Sequence, residues 1–181
     1  MNIKRWFIVL GLVLCFASAC QNKNKTGPAE NSDYRGEQKL EKFSMVESLA
    51  GKKQWELEAS RADIYETEKK TKLEKIKLKF YKDNKITSVL IAEKGDINTE
   101  TGDMQALGNV VFSSDQEQVK VESEQLNWDN KRKKILTDSF VKETRPQGVV
   151  TGYGLEADPD LSHSVIKREV KAQVIQPEKK K

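Results

Sequence analysis

The sequence contains few of the residue types from which catalytic and metal sites are built. Its 181 residues include one histidine and two cysteines, and both cysteines, Cys15 and Cys20, lie within the first twenty positions. It also lacks a glycine-rich phosphate-binding loop. We therefore expect no enzyme activity, no cofactor and no metal site.

The single histidine, His163, lies in a polar segment that runs from Asp158 to Ser164. A hydrolase triad is one interpretation, but neighbours in sequence do not by themselves meet in triad geometry. A calcium site at Asp158 and Asp160 would lack the EF-hand spacing and its distal glutamate. A polar turn is the favoured interpretation, because Asp, Pro and Ser are common in turns.

Excess charge of one sign is also small, with a formal net charge of +4. Most lysines alternate with carboxylates, and the short basic runs at 131–134 and 179–181 are interpreted as solvated surface. This pattern predicts no binding of nucleic acid.

Only one long hydrophobic run is present, at the N-terminus. Lys4 and Arg5 precede apolar and small residues up to Ala19, and polar residues follow from Gln21. The run is shorter than the roughly 20 residues of a membrane span, and its layout is typical of a secretory signal. The small residues before Cys20 resemble a bacterial lipobox, so Cys20 is expected to be lipidated and to become the first mature residue. A short uncleaved anchor is the alternative.

Composition divides the chain into four segments. We expect a lipoprotein-type signal peptide at 1–19, a lipidated cysteine with a flexible tether at 20–38, a folded domain at 39–176 and a disordered tail at 177–181. The tether is rich in polar, charged and small residues and cannot bury enough apolar surface to order itself. With Cys15 removed and Cys20 lipidated, the folded domain would have no thiol for a disulfide.

Apolar residues in the folded domain recur at every second position. Trp55 to Ala59, Ile76 to Phe80 and Val119 to Ser123 alternate in this way, as strands with one buried face require. Turn-forming residues at 82–85, 100–103, 129–131 and 158–160 separate the runs and favour antiparallel hairpins. Outside the N-terminal run no stretch shows a sustained helical stripe, and we expect no more than a brief turn at Val46 to Leu49. The fold class is therefore predicted to be all-β.

Four degenerate units repeat about every 30 residues. Each contains a small residue followed by a common frame: Ala59-x-x-Ala62, Ala92-x-x-Gly95, Ser123-x-x-Leu126 and Gly152-x-x-Leu155. A unit of two short strands cannot bury its apolar face alone, so the units must stack. The repeat predicts an antiparallel β-jellyroll or open β-roll.

Several of these segments together resemble the LptC family. The resemblance covers roughly residues 40 to 175 and rests on these elements, in order: Trp55 to Ala59, Ala92 to Gly95, Gly108-Asn109-Val110, Leu126 to Asp129, Thr137-Asp138 and Thr151 to Leu155. That family supplies the periplasmic link of the lipopolysaccharide export bridge and shares its roll with LptA and OstA-like proteins. Its members commonly keep an uncleaved transmembrane helix, whereas this chain resembles a lipoprotein. The resemblance implies residence at the periplasmic side of the inner membrane, while Gln21 after Cys20 leaves the outer membrane open.

The resemblance implies that the interior of the roll binds the acyl chains of lipid A, the lipid part of lipopolysaccharide. The inward-facing candidates are Trp55, Leu57, Ile76, Leu78, Phe80, Ile97, Met104, Val110, Phe112, Leu126, Trp128, Ile135 and Phe140. The same alternation is typical of any filled sandwich core. A scaffolding lipoprotein that carries no lipid is therefore the alternative function.

The resemblance also implies a partner at each edge of the roll. A soluble LptA-like protein would add a strand at the C-terminal edge, and an inner-membrane ABC transporter of the LptB/LptF/LptG type would pair with the N-terminal edge. The candidate residues of the C-terminal edge are Gly152, Gly154, Val165, Val170 and Val174. A bulge or tight bend is an equally good interpretation of the two glycines.

Overall fold

The computed structural model describes residues 37–174, and the regular elements in this range are nine β-strands. They are β1 Glu37–Leu49, β2 Lys52–Tyr65, β3 Lys70–Lys82, β4 Lys85–Asn98, β5 Met104–Ser114, β6 Val119–Asp129, β7 Lys134–Arg145, β8 Gly148–Ala157 and β9 Ser164–Val174. All belong to one antiparallel sheet in which each strand pairs with its neighbours in sequence. The prediction of an all-β antiparallel roll is confirmed. The signal peptide, Cys20 and the tail 177–181 lie outside the described residues.

The sequence did not predict β1. This strand begins at Glu37, inside the expected tether, and continues through Val46 to Leu49, so the brief turn expected there is wrong. β1 pairs only with β2 in the described sheet, and Leu40 and Val46 remain exposed. Only Phe43 and Met45 of this strand pack against the core, and so short an alternation is a weak strand signal.

The connecting turns lie where turn-forming residues predicted them. Asp83 and Asn84 join β3 to β4 with φ angles of 50° and 61°. A two-residue type I′ hairpin turn requires positive φ at both central residues. The connections at 99–103, 130–133 and 158–163 overlap the other predicted turns. These turns confirm the hairpin prediction.

The repeated frame has a structural cause in the middle of the strands. Ala59 and Ala62 of β2 are both buried, although strict alternation would put residues three apart on opposite faces. In β4, Ala92 and Gly95 are likewise both buried. The pairing register shifts at the corresponding positions of β4, β6 and β8. In these three strands the repeated frame therefore marks bulges, and a bulge bends its strand.

The sheet folds back on itself across these bends. Phe80 of β3 and Trp128 of β6 are three strand steps apart, about 14 Å in a flat sheet, yet their ring centroids are 5.2 Å apart. Phe112 of β5 also contacts Phe80, with ring centroids 6.0 Å apart. The apolar faces of the two halves therefore meet and form the interior of a roll.

Side chains fill the interior of this roll. The cavity among Leu57, Leu78 and Leu90 has a volume of about 20 Å³, which is enough for about one water molecule. Ligand pockets usually measure about 300–1,000 Å³. Around these leucines the interior is therefore a packed core.

Candidate functional site

Most of the interior residues expected from the sequence do line the core. Twelve of the thirteen are at most 8% exposed. They are Trp55, Leu57, Ile76, Leu78, Phe80, Ile97, Met104, Val110, Phe112, Leu126, Trp128 and Ile135. Strands β2 to β7 contribute these side chains, so they form one continuous apolar layer along the roll.

Phe140 is the exception, and its predicted inward orientation is wrong. It is 48% exposed and packs against Tyr153, with ring centroids 5.4 Å apart. Ile135 and Val141 of the same strand point inward, and alternation from either of them puts Phe140 on the outer face. Phe140 therefore belongs to the outer surface of β7.

The predicted partner edge separates into two groups. Val165, Val170 and Val174 lie in β9, the last strand of the described sheet, and are exposed. Gly152 and Gly154 lie in β8, which pairs with both β7 and β9, so their assignment to a free edge is wrong. A Cβ at Gly152 would lie 2.6 Å from the carbonyl oxygen of β9 residue Arg168, and Gly154 has a φ of +76°. These glycines fit the interpretation of a bulge and close strand approach.

A second site lies where the two folded halves of the roll meet at the surface. This pocket, which we call the mouth pocket, has a volume of about 320 Å³. Its aromatic floor consists of Trp55, Phe80 and Trp128. Its rim has two charged lips: Glu47 of β1 and Lys82 of β3 form the first lip, and Lys133 of the β6–β7 turn and Asp160 of the β8–β9 loop form the second lip.

Two ion pairs join the lips. Lys133 Nζ lies 3.0 Å from Glu47 Oε1, and Lys82 Nζ lies 3.6 Å from Asp160 Oδ2. The two lysine side chains are 52% and 72% exposed, so each pair contributes at most about 1 kcal/mol to stability. Ser88 Oγ adds a hydrogen bond to the Pro159 carbonyl oxygen.

Asp160 has a perturbed pKa at this rim. Burial alone would raise it, but hydrogen bonds from Ser162 and the charge of Lys82 outweigh that effect and lower the pKa of Asp160. The Ser162 hydroxyl lies 2.5 Å from Asp160 Oδ1. The carboxylate therefore stays ionised at neutral pH and is able to hold Lys82.

The two tryptophans of the floor differ in their hydrogen bonding. The Trp55 indole N–H donates to Glu47 Oε2 at 2.9 Å, whereas the buried Trp128 Nε1 has no acceptor among residues 37–174. Lys133 Nζ lies 5.6 Å from the centroid of the Trp128 ring. Trp128 also lines the small interior cavity, so its ring separates the mouth pocket from the core.

The basic run at 131–134 is more than solvated surface. Arg132 pairs with Glu156 at 2.8 Å and Lys134 with Asp158 at 2.5 Å, in addition to the Lys133 pair with Glu47. The run therefore attaches the β6–β7 turn to β8, to the β8–β9 loop and to β1. The partners are 24 to 86 residues away in sequence, which is why the run alone did not indicate them.

The loop 158–163 forms a turn whose apolar residue is anchored in the core. Leu161 is fully buried, and the Asp158 N–H donates to the carbonyl oxygen of His163 at 2.9 Å. The His163 side chain is exposed. Asp158 and Asp160, considered above as calcium ligands, pair with Lys134 and Lys82, and the segment closes one side of the roll.

The described strands form a meander that encloses an apolar interior, and the first and last of them are each paired on one side only. This arrangement defines the class of open β-rolls. Within residues 37–174 no helix has the length and apolar character needed to cross a membrane. The model of the family described as "Lipopolysaccharide-assembly, LptC-related" matches residues 7–175. The chain belongs to this family, which associates it with lipopolysaccharide transport.

One solved structure has the same fold. It is LptH from Pseudomonas aeruginosa, described as the LptA homologous periplasmic component of the conserved lipopolysaccharide transport device. The TM-score is 0.53 at 10% sequence identity, and the match covers 68% of this chain and 95% of that chain. No curated protein matches the sequence.

Proposed function

We propose that this protein binds lipopolysaccharide inside its roll and passes it across the periplasm. It would act without catalysis, as the membrane-tethered bridge between an inner-membrane ABC transporter of the LptB/LptF/LptG type and a soluble LptA-like carrier. The observation that best supports this proposal is the continuous apolar layer of twelve interior side chains in a roll of this family. These twelve residues would contact the acyl chains of lipid A.

Binding requires the roll to open, because the present interior cavity of about 20 Å³ is too small for an acyl chain. Strands pair only with their sequence neighbours, so the two halves can separate at the lips without breaking a backbone ladder. The lips are held by exposed ion pairs and one hydrogen bond. The cost of opening is therefore mainly the apolar contact between the two halves.

The edges of the sheet supply the proposed contacts with partners. β9 exposes Val165, Val170 and Val174, and an unpaired edge accepts a strand from another protein. We assign this edge to the LptA-like carrier and the β1 edge to the transporter. Lys167 and Lys171 on β9 would discourage uncontrolled pairing between copies.

The proposed attachment is a lipid on Cys20 after removal of residues 1–19. Residues 20–38 would then supply the tether, although the strand already begins at Glu37. This arrangement puts the domain at the periplasmic side of the inner membrane, and Gln21 keeps the outer membrane as the alternative. Residues 177–181 would form a free tail.

Photocrosslinking tests lipid binding against the scaffold alternative. We expect Phe80→p-benzoylphenylalanine in the full chain to form an adduct with lipopolysaccharide in cells, because Phe80 lies in the core. The matched control is Phe140→p-benzoylphenylalanine, on the outer face, which should give little or no adduct. Failure of both positions to crosslink would favour a closed scaffold that carries no lipid.

A further inference from the structure

The mouth pocket combines an apolar floor with charges that hold its two lips together. We propose that it is the entry site for the lipid and that a phosphate group on the lipid opens it, by taking Lys82 and Lys133 away from Asp160 and Glu47. This inference rests on the proposed function and adds the chemical signal that starts loading. The ligand class is an acylated lipid that carries a phosphomonoester.

The dimensions and lining of the pocket match such an amphiphile. Its volume of about 320 Å³ lies at the lower end of the range for ligand pockets. The floor aromatics are almost fully buried, so an acyl chain would contact them as the lips part, while the lysines of the rim are exposed to water. A headgroup and the first part of one chain fit this division, whereas the cavity on the other side of Trp128 measures about 20 Å³.

The two ion pairs cross the mouth in opposite directions. The first lip contributes the carboxylate of one pair, Glu47, and the cation of the other, Lys82. The second lip contributes the complementary groups. A phosphate that carries up to two negative charges and three acceptor oxygens competes with single carboxylates for both lysines at once. The direct ion pairs between the lips would then be replaced by a phosphate held between Lys82 and Lys133, with Glu47 and Asp160 repelling it and one another. The lips would stay linked through the phosphate but stand farther apart than in the direct pairs.

Trp128 adds a hydrogen-bond donor, unsatisfied within the described part of the chain, between the mouth pocket and the core. A buried donor without an acceptor is costly, and the neighbouring Trp55 has its indole N–H satisfied by Glu47. An ester carbonyl or phosphate oxygen of a bound lipid would supply the missing acceptor for Trp128. Because Trp128 also lines the interior cavity, a shift of its ring would connect the mouth pocket to the core.

A nearby ion pair provides a control because it does not cross the mouth. Lys52 Nζ lies 3.0 Å from Asp83 Oδ1, and both residues belong to neighbouring hairpin ends next to the first lip. Both side chains are strongly exposed. Its removal changes the local charge without releasing one lip from the other.

The test uses the full chain in detergent micelles, with Trp128→p-benzoylphenylalanine as the crosslinking probe. The ligands are lipopolysaccharide and the same lipopolysaccharide after chemical removal of its phosphates, with inorganic phosphate as competitor. We expect about ten-fold more adduct with the phosphorylated lipid, as two charge-assisted contacts would give. Phe80→p-benzoylphenylalanine repeats the comparison with Trp128 intact.

Paired variants separate the roles of the rim charges. Lys82→Gln with Lys133→Gln should abolish the preference for the phosphorylated lipid, while Lys82→Arg with Lys133→Arg should retain it. Glu47→Gln with Asp160→Asn should raise the adduct with both lipids because the lips are freed. Lys52→Gln should leave both yields unchanged, and circular dichroism verifies that each variant keeps its β structure.

The outcomes distinguish this proposal from lipid carriage itself. If the protein with the natural rim residues gives equal amounts of adduct with the two lipids, the proposed phosphate signal is wrong, while the proposal of lipid binding still stands. No adduct with either lipid at position 80 would contradict the proposed function. Inorganic phosphate should lower the adduct with phosphorylated lipid. If inorganic phosphate instead raises the adduct with the dephosphorylated lipid to the level seen with the phosphorylated lipid, free phosphate opens the pocket. The proposal that the phosphate on the lipid opens it is then wrong.

Discussion

The filled interior and the mouth pocket lie on opposite sides of one tryptophan and are built in different ways. The interior is mostly aliphatic and aromatic, and its cavity next to this tryptophan measures about 20 Å³, whereas the mouth pocket measures about 320 Å³ and is closed by exposed charges. Packing supplies most of the stability of a fold, and exposed ion pairs supply little. The two halves of the roll are therefore held together mainly by the packed interior, and the charges at the mouth add little.

The largest expected effect comes from emptying the interior. Phe112 is fully buried, so Phe112→Ala should lower the free energy of unfolding by about 3–5 kcal/mol. Phe140→Ala removes the same side chain from the outer face and should cost about 1 kcal/mol or less. Denaturant unfolding of both variants measures the contrast. Equal losses would mean that the core is loosely packed and not different from the surface.

A smaller effect is expected where β8 and β9 approach closely. Gly152→Ala puts a Cβ 2.6 Å from the Arg168 carbonyl oxygen and 2.6 Å from Ile166 Cγ2, which should cost about 1–3 kcal/mol. Amide hydrogen exchange should become faster in β9 than in β2 or β3. Thr151→Ala, one residue away, is the control with little change. Uniformly faster exchange in all strands would contradict a local loosening of this edge.

The smallest effect is expected at the lips on acidification. The pKa of Asp160 is lowered in the folded protein from its ordinary value of 3.8, so its contribution is present above pH 3.8 and is lost as the pH falls through the lowered value. We expect a difference in stability of less than about 1 kcal/mol between the natural protein and Asp160→Asn. Urea unfolding at a series of pH values should show this difference shrinking in acid. A difference that grows in acid would contradict the assignment.

Alternation predicted the interior because a strand with one buried face must place apolar residues at every second position. It held for Trp55, Leu57 and Phe80, which lie within regular segments of β2 and β3. It could not reveal that Ala92 and Gly95 lie on the same face, because a bulge is defined by the opposing strand. The repeated frame was visible in the sequence, but its meaning as a row of bends required the pairing.

The mouth pocket could not be predicted from the sequence, for a different reason. Glu47 and Lys133 are 86 residues apart, and in a chain with this many alternating charges no local pattern selects one pair. Leu161 gave a weak signal, as an apolar residue among turn formers, and its complete burial explains it. The buried Glu143, held by Arg145 at 2.6 Å and by Ser164 at 2.6 Å, gave none.

The sequential order of the strands has a consequence for how the roll is made and altered. Each hairpin pairs with the one before it, so the sheet can assemble progressively as the chain emerges, through contacts that are short in sequence and therefore form quickly. A hairpin gained or lost at either end would change the length of the roll while every other pairing stays the same. Evolution and protein engineers can adjust its reach in steps of one hairpin.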